Sequence, residues 1–142
     1  MKIIVSACLL GENCKYDGGN NLNASVMAYI RDKEVIPVCP EVMAGLGCPR
    51  TPIEIVNGVV MDSNGNSVDA AIRDAVEKAL EQIAGEEISC AVLQSRSPTC
   101  GVNQIYDGTF SRKRISGSGV FAQALKDAGI KVIDVEDIEK YL

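Results

Sequence analysis

The sequence predicts an α/β domain in three layers, with a mostly parallel sheet and a short β-hairpin insertion. Short apolar, β-branched runs alternate with helical stretches, which implies βαβ crossovers and helices on both faces of the sheet. The length of 142 residues suits one domain, residues 1–142, and no repeat, low-complexity tract or linker divides it.

Lys2 to Ala7 is the first expected strand, short, apolar and β-branched, running into a loop rich in Gly, Asn and Asp from Gly11 to Asn23. Asn23 to Arg31 carries Val26, Met27 and Ile30 at helical spacing. Glu34 to Val38 is a second strand, broken by Pro40. Ile53 to Met61 reads as a hairpin turned at Asn57-Gly58, residues that tolerate positive φ, with a further turn at Asn64-Gly65. The clearest helix spans Val68 to Ala84, where Val68, Ile72, Val76, Leu80 and Ile83 form one apolar stripe. Ser67 is placed to cap it and Gly85 to end it. Ile88 to Leu93 is another buried strand, followed by a long glycine- and serine-rich loop. A helix from Val120 to Ala128 stops at Gly129, Lys131 to Ile133 gives the last strand, and a short acidic helix closes the chain. This order describes a small Rossmann-like domain.

Hydrophobic residues at 46% against 23% charged match an ordinary folded protein and exclude a disordered one. No apolar run is long enough to cross a membrane, and Met1 to Cys8 lacks a signal-peptide core, so a cytoplasmic location is expected. A net charge of −5 argues against a duplex nucleic acid partner while leaving room for a nucleobase-sized ligand. Arg112-Lys113-Arg114, the one basic run, reads as a solvated loop. Oligomeric state is not encoded in these features.

Six cysteines and no histidine narrow the chemistry most. In a reducing compartment clustered thiols mean metal or catalysis rather than disulfides. Ligands of open α/β sheets bind beyond the carboxyl ends of the strands. Cys8 follows the first strand, Cys39 the second, and Cys100 lies in the loop after Leu93. Each is also explicable as a small buried side chain, as Cys90 within its strand surely is. Zinc favours Cys-x-x-Cys pairs, often with His, and the chain has neither. Iron–sulfur clusters accept thiolates from distant segments, and three ligands on four irons leave one iron open as a Lewis acid. Cys14 and Cys48 are alternative or fourth ligands. Ser116-Gly117-Ser118-Gly119, before the Val120 helix, presents N–H groups for an anion. Asp107-Gly108 is a turn, and Tyr106 a packing residue.

Several stretches, in order, resemble a known family. They are Val5-Ser6-Ala7-Cys8-Leu9-Leu10-Gly11, Tyr16-Asp17-Gly18, Pro37-Val38-Cys39-Pro40-Glu41, Pro49-Arg50-x-Pro52-x-Glu54-Ile55, Ser97-Pro98-Thr99-Cys100-Gly101, Ile105-Tyr106-Asp107-Gly108-Thr109-Phe110 and Gly117-x-Gly119-Val120. The chain thereby resembles the domain of unknown function 523 family, whose characterised members look like iron–sulfur-dependent thiouracil desulfidases. The resemblance implies a 4Fe-4S cluster on Cys8, Cys39 and Cys100. It implies non-redox desulfuration of a 2- or 4-thiouracil-like pyrimidine, whose sulfur meets the open iron. It also implies catalytic help from Ser97 and Glu41. Glu34 competes with Glu41 for the role of base, and a loop pairing with Arg50 is the structural alternative for Glu41. For Ser97 the alternative is a turn or cap hydroxyl before Pro98. The competing functional readings are a cluster-binding or sulfur-carrier module without turnover, and a zinc or thiol structural domain.

Overall fold

The computed structural model describes residues 1–142. Four strands form a parallel sheet in the order β2-β1-β5-β8: β1 (Lys2–Ser6), β2 (Glu34–Val38), β5 (Ile88–Leu93) and β8 (Val132–Asp134). Ile3, Ile4 and Val5 are all buried, as a strand covered on both faces requires. Their alternation splits the core. Ile4, Ala91 and Leu93 face one apolar cluster, while Ile3, Val5, Cys90 and Val92 face another. α3 (Asp69–Ile83) and α4 (Val120–Asp127) cover the first face, and α1 (Ala24–Ile30) with the 3-10 segment Val135–Tyr141 covers the second.

Pro37 lies within β2, where a missing N–H is tolerable because β2 is an edge strand bonded only to β1. Chain order makes the next step. β1 leads to β2 on one side, and the chain then crosses back to β5 on the other side of β1. The switch in direction opens a crevice at the carboxyl ends of β1 and β5, the usual ligand position of such sheets.

The hairpin of β3 (Ile53–Val56) and β4 (Val59–Asp62) turns at Asn57 and Gly58, with φ of +49° and +80°. Asn23 caps α1 by accepting the Val26 N–H at 3.0 Å. Ser67 lies one residue outside the N-cap of α3, and its hydroxyl accepts the Asp69 N–H at 3.4 Å. Pro40 does more than end a strand: it opens a single helical turn, α2 (Pro40–Met43), because its fixed φ suits a first helical position. The expected long loop after Leu93 contains a second hairpin, β6 (Gln104–Tyr106) with β7 (Arg114–Ser116). No helix is long and apolar enough to cross a membrane.

Candidate active site

The register of the sheet sets Cys8 and Cys39 side by side. Ser6 pairs with Val38, so the chain leaves β1 and β2 at the same level, and Cys8 enters the 3-10 turn Ala7–Leu10 as Cys39 enters the N-cap of α2. Cys100 reaches the same edge from the loop after β5, on the opposite side of β1. All three line one cavity of about 580 Å³. Cys8 and Cys39 are half-buried and Cys100 is 5% exposed. Burial pushes all three thiols up, Cys100 to about 12; the Glu41 carboxylate raises all three further, with Cys39 adding to the effect on Cys8 and Cys8 to that on Cys100. All six cysteines are free thiols.

No three Cys, Asp or Glu side chains converge closely enough to share a single metal ion. The cavity that the three thiols line has room for a group larger than a single ion. The donor set agrees: soft thiols and no imidazole favour iron–sulfur over hard cations. The extra cysteines divide. Cys14 lines the cavity, and its carbonyl accepts from the Cys39 thiol at 3.9 Å. Cys48 is exposed, outside the cavity lining, with its sulfur 3.0 Å from Arg50 Nη1. Cys90 is buried in β5 beside the Tyr29 hydroxyl.

Glu41 follows Cys39 into α2 and lines the cavity, whereas Glu34 begins β2 at the far end of the sheet and does not. The carboxylate of Glu41 is bound by Arg50 Nη2 at 2.9 Å, so the pairing weighed from sequence is present inside the cavity. Burial pushes the Glu41 carboxyl above its ordinary value, with the Arg50 guanidinium pulling the other way. Tyr16 also lines the cavity, and its carbonyl holds the Arg50 N–H.

Ser97 is a turn hydroxyl and a cavity residue at once. Its oxygen accepts the N–H groups of Thr99 at 3.1 Å and Cys100 at 3.0 Å, and it shares a hydrogen bond with the Thr99 hydroxyl. Thr99, 1% exposed, donates to the Cys100 sulfur at 3.7 Å. Asn21 donates to the Cys8 sulfur at 3.4 Å, and the Ser6 hydroxyl faces Cys100. Sequence reasoning missed these supports. Thr99 and Ser6 lie inside the quoted motifs: Thr99 reaches the sulfur of its sequence neighbour, and only long-range packing turns the Ser6 hydroxyl to Cys100.

The amide groups at the start of α4 are not free for an anion. Gly119, Val120, Phe121 and Ala122 donate to carbonyls of Gly101, Pro98 and Thr99, which corrects the expectation for Ser116–Gly119. Those bonds staple the Cys100 loop to the helix. A Cβ at Gly119 would stand 2.4 Å from the Thr99 carbonyl carbon, so only glycine permits the approach. Arg112 is exposed, as expected of a solvated loop, and also borders the cavity.

Known proteins resemble the chain over nearly their whole length. The uncharacterised protein YbbK of Bacillus subtilis (strain 168) is 37% identical over 150 aligned residues, 99% of each chain. A solved structure described as the [4Fe-4S]-dependent thiouracil desulfidase TudS superposes with a TM-score of 0.90 at 34% identity, covering 98% of this chain and 93% of that one. Residues 3–137 match the sequence pattern of the 2-thiouracil desulfurases, and with β2, β5, all of β1 but Lys2, and all the cavity cysteines inside that span, the chain belongs to the 2-thiouracil desulfurase family.

Proposed function

We propose that the protein removes sulfur hydrolytically from a thiolated pyrimidine of the 2- or 4-thiouracil type, giving uracil and sulfide, with a 4Fe-4S cluster held by Cys8, Cys39 and Cys100. One observation carries the reading: these thiols, the half-buried carboxylate of Glu41 and a turn serine line a single cavity at the switch point of the sheet. The similarity to TudS, described as [4Fe-4S]-dependent, supports both cofactor and substrate class.

When bound, the cluster supplies an iron with an open position, a Lewis acid toward thiocarbonyl sulfur. The residues do the rest. Arg50 holds Oε2 of Glu41, which leaves Oε1 to take a proton from the water that attacks the ring carbon. A carboxyl raised by burial is the stronger base once ionised. The Ser97 oxygen is occupied by two N–H groups, so its hydrogen remains to donate, either to Thr99 or to the pyrimidine. A C–O bond forms and the C–S bond breaks. Sulfur leaves as sulfide with its electron pair, so no net redox occurs. Asn21 and Thr99 keep the Cys8 and Cys100 sulfurs oriented.

Anaerobic reconstitution tests the proposal. The parent should bind about four irons per chain and release sulfide and uracil in equal amounts from 4-thiouracil. Substituting Cys8, Cys39 or Cys100 by Ala should abolish iron retention, and Cys48→Ala should not. Glu41→Gln should keep its iron and lose about 100- to 10,000-fold in rate. Bound zinc in place of iron, or a full cluster that liberates no sulfide, would overturn it.

A further inference from the structure

Glu54 and the loop Asp107–Arg112 lie far apart in sequence and meet at one carboxylate. Glu54, on β3, is 8% exposed. Its Oε1 accepts two backbone N–H groups across 54 and 56 residues, Gly108 at 3.0 Å and Phe110 at 3.2 Å. The loop so held is costly in backbone terms. Gly108, Phe110 and Arg112 have φ of +92°, +58° and +63°, and non-glycine residues rarely adopt such angles. A Cβ at Gly108 would meet the Ile55 carbonyl oxygen at 2.6 Å. Asp107 adds an Asx turn by accepting the Thr109 N–H at 3.0 Å. This conformation puts Phe110 and Arg112 on the wall of the cavity that holds the cysteines.

Strain kept at a cavity wall needs an anchor, and a carboxylate bonding two amides is a strong one. We propose that Glu54 is a positioning residue for substrate recognition. It fixes the Asp107–Arg112 loop so that the Phe110 ring packs against the heteroaromatic ring of the thiopyrimidine. The proposal rests on the functional reading above. It assigns Glu54 to binding rather than to proton transfer, although Glu54 also lines the cavity.

Two measurements test it. Amide hydrogen exchange on the reconstituted parent should show Gly108 and Phe110 protected. Glu54→Ala should expose both by about tenfold or more, and Glu54→Gln, which keeps an acceptor oxygen, should restore most of the protection. Steady-state sulfide release from 4-thiouracil should then show KM raised about tenfold in Glu54→Ala and in Phe110→Leu, with kcat within about threefold and iron content unchanged. Phe110→Leu leaves Glu54 in place, so it reads recognition even where Glu54→Ala folds poorly. Unchanged exchange in Glu54→Ala, or a collapse of kcat at constant KM, would overturn the proposal. A parent that released no sulfide would overturn the functional reading, and the recognition claim with it. The exchange data need no substrate and would separate the two failures.

Discussion

Arg50 has a side chain 5% exposed, with one nitrogen on Glu41, another on Cys48 and the Gly47 carbonyl, and Nε buried without a partner. A guanidinium is seldom buried so deeply without a task. Here it makes the burial of Glu41 tolerable, since an isolated carboxylate in this cavity faces a desolvation cost of several kcal/mol. Removing either partner strands the other charge. Arg50→Gln and Glu41→Gln should therefore each lower stability by about 3 kcal/mol in urea unfolding. The double variant should cost less than the sum by at least about 1 kcal/mol. Strictly additive losses would show that the pair contributes nothing. The pairing and the proposed base role, which the sequence offers as alternatives, belong to one residue: Arg50 takes one carboxylate oxygen and leaves the other.

The β3–β4 hairpin depends on α3 through Asp69, the first residue of that helix. Its carboxylate accepts the Val60 N–H of β4 at 2.9 Å and pairs with Arg73 Nε at 2.8 Å. Burial alone would raise its pKa. The Val60 N–H and Arg73 outweigh it and hold the group below its ordinary value. A group depressed on folding adds stability above its unfolded pKa of about 3.9 and loses that contribution as pH falls through the folded value. Comparing urea midpoints at pH 6 and pH 3 should show a steep acid loss in the parent and a shallower one in Asp69→Asn. Parallel declines would remove Asp69 from the account. This first hairpin is legible because Asn57-Gly58 marks its turn between apolar runs. The second is not: β6 and β7 have three residues each, their connection depends on Phe110 and Arg112 at positive φ, and its anchor is Glu54 on another element. Nothing local in that stretch alternates long enough to announce a strand.

Across the whole molecule, three segments separated by 31 and 61 residues bring thiols to one sheet edge. The strands, their parallel order and the strand-end cysteines follow from short β-branched runs and βαβ spacing, so Cys8, Cys39 and Cys100 are legible. Asn21 beside the Cys8 sulfur, and the spent amides of α4, are set by tertiary approach and leave no local trace. The convergence has a thermodynamic consequence. Thiols on β1, β2 and the post-β5 loop meet only in the folded chain, so a cofactor bridging them binds the native state and stabilises it by mass action. At a free concentration a hundredfold above Kd that contribution is about 2.7 kcal/mol, which for a domain of this size raises Tm on the order of 10 °C. Reconstitution should produce such a rise, and iron chelation should reverse it. Cys100→Ser should lose the rise. Cys90→Ser, altered in the core away from the cavity, should melt lower in both forms yet keep the difference between them. Equal melting temperatures for the loaded and stripped parent would mean that these thiols do not tie the three segments together.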